Sequence, residues 1–130
     1  MKKIIVRFGL FIAVFAPFFI ANGTASAIGF CTDVDVITYI RNGQVIAEAS
    51  AEGCTNTTVE LTTEARANGS VDTKSDILNG NGNLSITSTK SGSNGCFGKA
   101  TVKIGKLTSI STVESSTCAD KNGTISVIFQ

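Results

Sequence analysis

The sequence has no histidine and no tryptophan, and it holds one proline, one methionine and one tyrosine in 130 residues. Without histidine there is no base for Ser-His-Asp or Cys-His nucleophilic catalysis. Ser-Lys chemistry survives on composition, but no S-x-x-K motif stands where a strand would run into a helix. Glycoside hydrolysis needs two carboxylates flanking a cleft, and a chain with one tyrosine and no tryptophan has little from which to build a sugar platform. We read the protein as non-enzymatic and without a cofactor. No stretch repeats apolar residues at helical spacing over several turns, which leaves β-structure as the folding solution.

The one proline, Pro17, and the one methionine lie in a segment that differs from the rest. Lys2, Lys3 and Arg7 precede the apolar run Phe8–Ala16, and Ala25-Ser26-Ala27 supplies small residues of the kind a signal peptidase cuts. The apolar run is shorter than the roughly 20 residues a helical span requires. Residues 1–27 read as a secretory signal peptide, which leaves a single domain over 28–130 and no membrane association after cleavage. Phe30 ahead of Cys31 argues against a lipid-anchored cysteine. The Lys-Lys start points to a bacterial source, and secretion would place the product outside the cell or in a periplasm.

Removing three of the eleven Lys and Arg leaves eight against ten Asp and Glu, a net charge of −2. This offers no basic footprint for nucleic acid or anionic lipid. A domain of about 100 residues has a thin core that staples would help. All four cysteines, Cys31, Cys54, Cys96 and Cys118, fall in this part. An even number in a short exported chain implies two disulfides. With no C-x-x-C and no histidine, the zinc alternative is weak. Nearly equal spacing favours Cys31–Cys54 and Cys96–Cys118.

Asn42-Gly43 lies between two β-prone runs, the strongest short hairpin signal, because both residues of a type I′ turn need positive φ. With these two as the turn, facing residues have numbers that sum to 85, and Cys31 falls opposite Cys54. One face then carries Val34, Val36, Thr38 and Ile40 against Ala51, Ala49, Ala47 and Val45, a core face of large against small. The other carries Asp33, Asp35, Ile37 and Tyr39 against Glu52, Ser50, Glu48 and Ile46, with the bridge expected on this polar side. Asp33 opposite Glu52 is unfavourable, and a bulge near Gly53 or a bound cation would relieve it.

Further strands are expected at Thr57–Ala67, Ser70–Ile77, Leu84–Ser88, Phe97–Ile104, Leu107–Val113 and Thr124–Gln130. Asn79–Asn83 and Lys90–Gly95 read as loops. A two-residue turn at Gly105-Lys106 misses pairing Cys96 with Cys118 by three positions, and a longer loop, Gly105–Ser109, would bring them opposite. About eight short strands with Asn-Gly turns point to a small antiparallel β-sandwich, Ig-like in general architecture, with an open β-barrel as the alternative.

The acidic set Asp33, Asp35, Glu48 and Glu52 is a calcium candidate, although side chains splayed along flat strands rarely enclose an ion. The four N-x-S/T sequons within residues 28–130 are matches expected by chance in a chain rich in Ser and Thr. The functional expectation is a secreted, monomeric binding or accessory module for an extracellular protein or surface. Two alternatives stand beside it. One is a pilus-like structural subunit, to which the alternating last strand bears a loose likeness. The other is an inhibitor or toxin-like effector, presenting Asp76–Asn83 or Lys90–Gly95.

Overall fold

The structure is a computed structural model and describes residues 29–129; the segment read as a signal peptide lies outside the described residues. Among the described residues, seven antiparallel strands form one sheet: β1 (Asp33–Arg41), β2 (Gln44–Ala67), β3 (Ser70–Ser91), β4 (Cys96–Ile104), β5 (Leu107–Ser115), β6 (Lys121–Asn122) and β7 (Thr124–Phe129). The order is β6-β1-β2-β4-β5-β7, with β3 along the other edge of β2. The all-β expectation holds. The sheet rolls into a nearly closed barrel, so the barrel alternative describes it better than two separate sheets.

The first hairpin forms in the register the turn dictates. Asn42 and Gly43 have φ of 52° and 74°, and pairing runs from Arg41↔Gln44 to Asp33↔Glu52. Val34, Val36, Thr38, Ile40, Val45, Ala47, Ala49 and Ala51 are all buried on the inner face. Cys31 and Cys54 are joined, as are Cys96 and Cys118. Loops of this size are worth roughly 3 kcal/mol each by loop-closure entropy.

The first bridge does not sit on the polar face as expected. Both its cysteines are buried in the core, packed with Val34, Val36, Val59 and Leu61. The cause is a pair of irregularities in β2, between Ala51 and Cys54 and between Cys54 and Thr57. Gly53 and Asn56, at φ 63° and 47°, occupy them. Each extra residue flips the face on which the next side chain falls. The first flip turns Cys54 inward, and the second returns Val59, Leu61, Ala65 and Ala67 to the inner face.

The expected loop Asn79–Asn83 is not a loop. It is the middle of β3, which runs 22 residues beside the 24-residue β2. Opposite the bulges, alternate asparagines bridge the gap with side chains. Asn83 Oδ1 accepts from Gly53 N at 2.8 Å, Asn81 Oδ1 accepts from Asn56 N at 2.6 Å, and Asn79 Oδ1 accepts from the Thr58 hydroxyl at 2.8 Å. Gly80 and Gly82, at φ 117° and 136°, carry the strand between them. The Asn-Gly repeat therefore serves a bend rather than a turn, and seven strands, two of them long, replace about eight short ones.

This bend folds the β2–β3 ribbon over on itself. Before it, β2 pairs with β1; after it, with β4, from Val59↔Ile104 to Arg66↔Phe97. The inner residues of both halves share one core, to which Ala100, Val102, Ile104 and Leu107 belong. Many of them are alanines, so the layers lie close and polar groups meet across the core. Thr38 Oγ1 bonds Ser111 Oγ at 2.8 Å and Thr63 Oγ1 bonds Ser88 Oγ at 2.7 Å, both buried. Each pair satisfies hydroxyls whose burial alone would cost about 1–3 kcal/mol.

The second hairpin keeps its two-residue turn, with Ile104 opposite Leu107 and Cys96 opposite Ser115. The longer loop is not used. Instead the chain turns after Ser115, where Cys118 (φ 58°) donates from its N–H to the Ser115 carbonyl, and the three-position miss is made up there. The strap that follows is tied to the first hairpin. Asn42 N donates to Asp120 Oδ1 at 2.9 Å, and an Arg41 guanidinium N–H donates to Asn122 Oδ1 at 2.7 Å. β6 pairs with β1, and one residue later β7 pairs with β5, from Thr112↔Thr124 to Leu107↔Phe129.

Gly123 makes that crossing. Its N–H donates to the Thr38 carbonyl at 2.8 Å. A Cβ there would lie 1.9 Å from Thr38 Oγ1, 2.7 Å from the Thr38 carbonyl and 2.9 Å from the Thr112 carbonyl. Gly123→Ala should therefore lower stability by about 1–3 kcal/mol, the usual cost of overpacking, read as a shift in urea midpoint. An unchanged midpoint would mean that β6 and β7 do not close the barrel through this contact.

Candidate functional site

The acidic residues stand in the expected register but are not drawn together. Asp33 faces Glu52, Asp35 faces Ser50 and Ile37 faces Glu48. The bulge at Gly53 begins after Glu52, so the like-charged facing pair persists. Asp35 and Ile37 are buried, while Glu52 is exposed. Among the described residues, no three Asp, Glu or Cys side chains form a group able to hold a metal ion.

The outer face of β3, β2 and β4 carries a shallow depression of about 340 Å³ bordered by Thr62, Glu64, Thr73, Lys74, Lys99 and Thr101. On this outer face charges of opposite sign face one another across β2 and β4, Glu64 opposite Lys99 and Glu60 opposite Lys103. Arg66 pairs with Glu64 from the same strand. Such a face is a solvated sheet surface with cross-strand pairs.

The two loops assigned to an inhibitor are not projecting. Asp76–Asn83 is strand, and Lys90 and Ser91 end β3. Of this stretch only residues 92–95 form a connection, and it is pinned to the Asn42-Gly43 turn and to the Asn68-Gly69 turn that joins β2 to β3. Asn68 Oδ1 accepts from Ser93 N and Asn94 N, and Gly92 N donates to the Gly43 carbonyl.

Among the described strands, the edges formed by β3 and β7 are protected unequally. β3 carries Asp72, Lys74, Asp76 and Lys90. Asp72 Oδ2 reaches across the fold of the ribbon to accept from Thr89 N at 3.1 Å, covering an edge amide, while Lys74 Nζ lies 3.1 Å from the same oxygen. Charge on an edge and occupied edge amides are the usual means of preventing strand pairing. β7 has neither. Its six residues, Thr-Ile-Ser-Val-Ile-Phe, include no charge and no proline, and all are exposed: Ile125 36%, Val127 37%, Ile128 44% and Phe129 55%. Among the described strands β7 pairs only with β5.

The pattern behind β7 was visible as alternating Ile125, Val127 and Phe129, which normally marks a strand with one buried face. What the pattern could not show is that the opposing positions on β5 are Ser111 and Ser109, both buried, so the apolar row rides at the margin of the core. Comparison with protein-family models, curated proteins and solved structures gave no match to this chain. Two intrachain disulfides are the pattern of an oxidising compartment such as the extracellular space or a periplasm. Among the described residues no helix is long and apolar enough to cross a membrane.

The Lys74 ammonium and, after it, the Thr89 N–H hold the Asp72 carboxyl below its ordinary value of 3.8. A carboxyl lowered on folding contributes stability that is present above the unfolded value and lost as pH falls through the folded one. The wild type should therefore lose more stability than Asp72→Asn as pH drops below about 4. Urea midpoints with the same pH dependence for both proteins would contradict this.

Proposed function

We propose that this protein is an exported, non-enzymatic β-barrel module that binds an extracellular protein or surface through its β7 edge. The supporting observation is the contrast in charge between the edges: on β3 the exposed Val71 and Ile77 are interspersed with Asp72, Lys74 and Asp76, whereas the exposed apolar residues of β7 have no charge among them. Exposed, uncharged edge strands are templates for strand addition, in which main-chain hydrogen bonds supply affinity and alternate side chains supply specificity. Export rests on the N-terminal segment and the cysteine pairing, and the bacterial source on the basic start.

The pilus-like alternative draws on the same strand, since assembly by strand pairing would also use β7. The inhibitor alternative would have to present its contact from strand β3 or from the short connection 92–95. A single edge strand is a modest surface, so the module is expected to bind reversibly unless further contacts add area.

A photo-crosslinking amino acid placed at Val127, and separately at Ile77 on β3, separates these surfaces in the exported protein. We expect higher-mass adducts from position 127 and few from position 77. Adducts at 77 alone, or equal labelling at both, would contradict the assignment of β7 as the binding edge.

A further inference from the structure

Resting on the binding role of β7, we infer that its partner is a second copy of this chain, the two β7 strands pairing antiparallel about a two-fold axis at Val127. The edge presents a defined set of backbone groups. Gly123 N–H points at β1, where it meets the Thr38 carbonyl. Backbone groups alternate in direction along an extended strand. The N–H and C=O of Ile125 and Val127 therefore point to the same side as those of Gly123, away from β5. The groups of Ser126 and Ile128 point to β5, where these residues face Ile110 and Thr108. The outward groups belong to the residues that carry the inward apolar row.

The side-chain pattern is most fully self-complementary in one register. If Val127 faces Val127 of the second copy, Ile125 faces its Phe129 and Phe129 faces its Ile125. All three positions on that face become apolar pairs, two of them aromatic against β-branched, which is the favoured kind. Ser126 then faces Ile128 on the other side. A one-residue slip would set each apolar residue against the opposite face of its partner. No residue of β7 is charged, so nothing in this register places like charges together. Charge at the centre of such an axis would meet itself, and here the centre is valine. The result is one antiparallel sheet continuous through β5 and β7 of both molecules, an isologous contact that closes at two subunits.

The test uses the fact that all four native cysteines are paired. A cysteine at position 127 would be the one free thiol, and the axis would set it opposite its own copy. In a hydrogen-bonded antiparallel pair the Cα atoms lie about 5.5 Å apart, within disulfide range. Val127→Cys should form a covalent dimer under mild oxidation, whereas Ile128→Cys, which faces Ser126 of the other copy, should form at least tenfold less. The wild type should show a light-scattering mass that rises from one chain to two across a micromolar-to-millimolar dilution series. Val127→Lys, folded by circular dichroism, should stay at one chain throughout. A wild type that remains monomeric across the series, or cysteines at 127 and 128 that cross-link equally, would overturn self-pairing. Failure here with heterologous adducts at position 127 would leave the binding role of β7 standing. Failure of both would remove that role.

Discussion

The register of the long β2–β3 ribbon is the constraint on which the rest of the structure depends. Twenty-four residues of strand cannot lie flat in a domain of this size, so the ribbon bends, and the bend must keep apolar side chains inward on both of its arms. Two bulges accomplish this, at Gly53 and Asn56, because each reverses the face and together they restore it. Between them Cys54 turns inward to meet Cys31. The asparagines of β3 then accept from the β2 amides that the bulges leave out of the ladder. One local device thus fixes the bridge position, the shared core and the approach of β4 to β1.

The second bridge supports a different part of the molecule. Cys118 is held by Cys96 at the end of the second hairpin, and the strap beyond it is tied to the first hairpin by Arg41, Asp120 and Gly123. That strap closes the barrel at one end and delivers β7 to β5, with no other described strand paired along its outward side. The two-hydroxyl contact of Thr38 with Ser111 lies beside the crossing, so closure and inner packing reinforce one another.

The first hairpin was legible to the residue because Asn-Gly turns have a strong conformational demand and the alternation around them is clean. The cysteine pairing followed from it and from equal spacing. The bend was not legible, since Asn79–Asn83 has the composition of a loop, and only opposing bulges on another strand make it a strand. Side-chain-to-backbone bonds across strands leave no periodic trace. The acidic face showed the opposite error of emphasis: the charges were easy to see, but strand geometry spreads them. At β7 the alternation announced a buried face, while the small serines opposite, which leave that row exposed, become informative only once β5 and β7 are known to pair.

Amide-resolved hydrogen exchange on β7 tests the account most directly. In protein diluted below the concentration at which self-pairing is expected, the amides of Ser126 and Ile128 should be protected by β5, and those of Ile125 and Val127 should exchange fast. Raising the concentration should protect Ile125 and Val127 while leaving their neighbours unchanged. Equal protection of all four in dilute protein would mean that the edge is already covered within one chain, and the account of β7 as an open strand would fail.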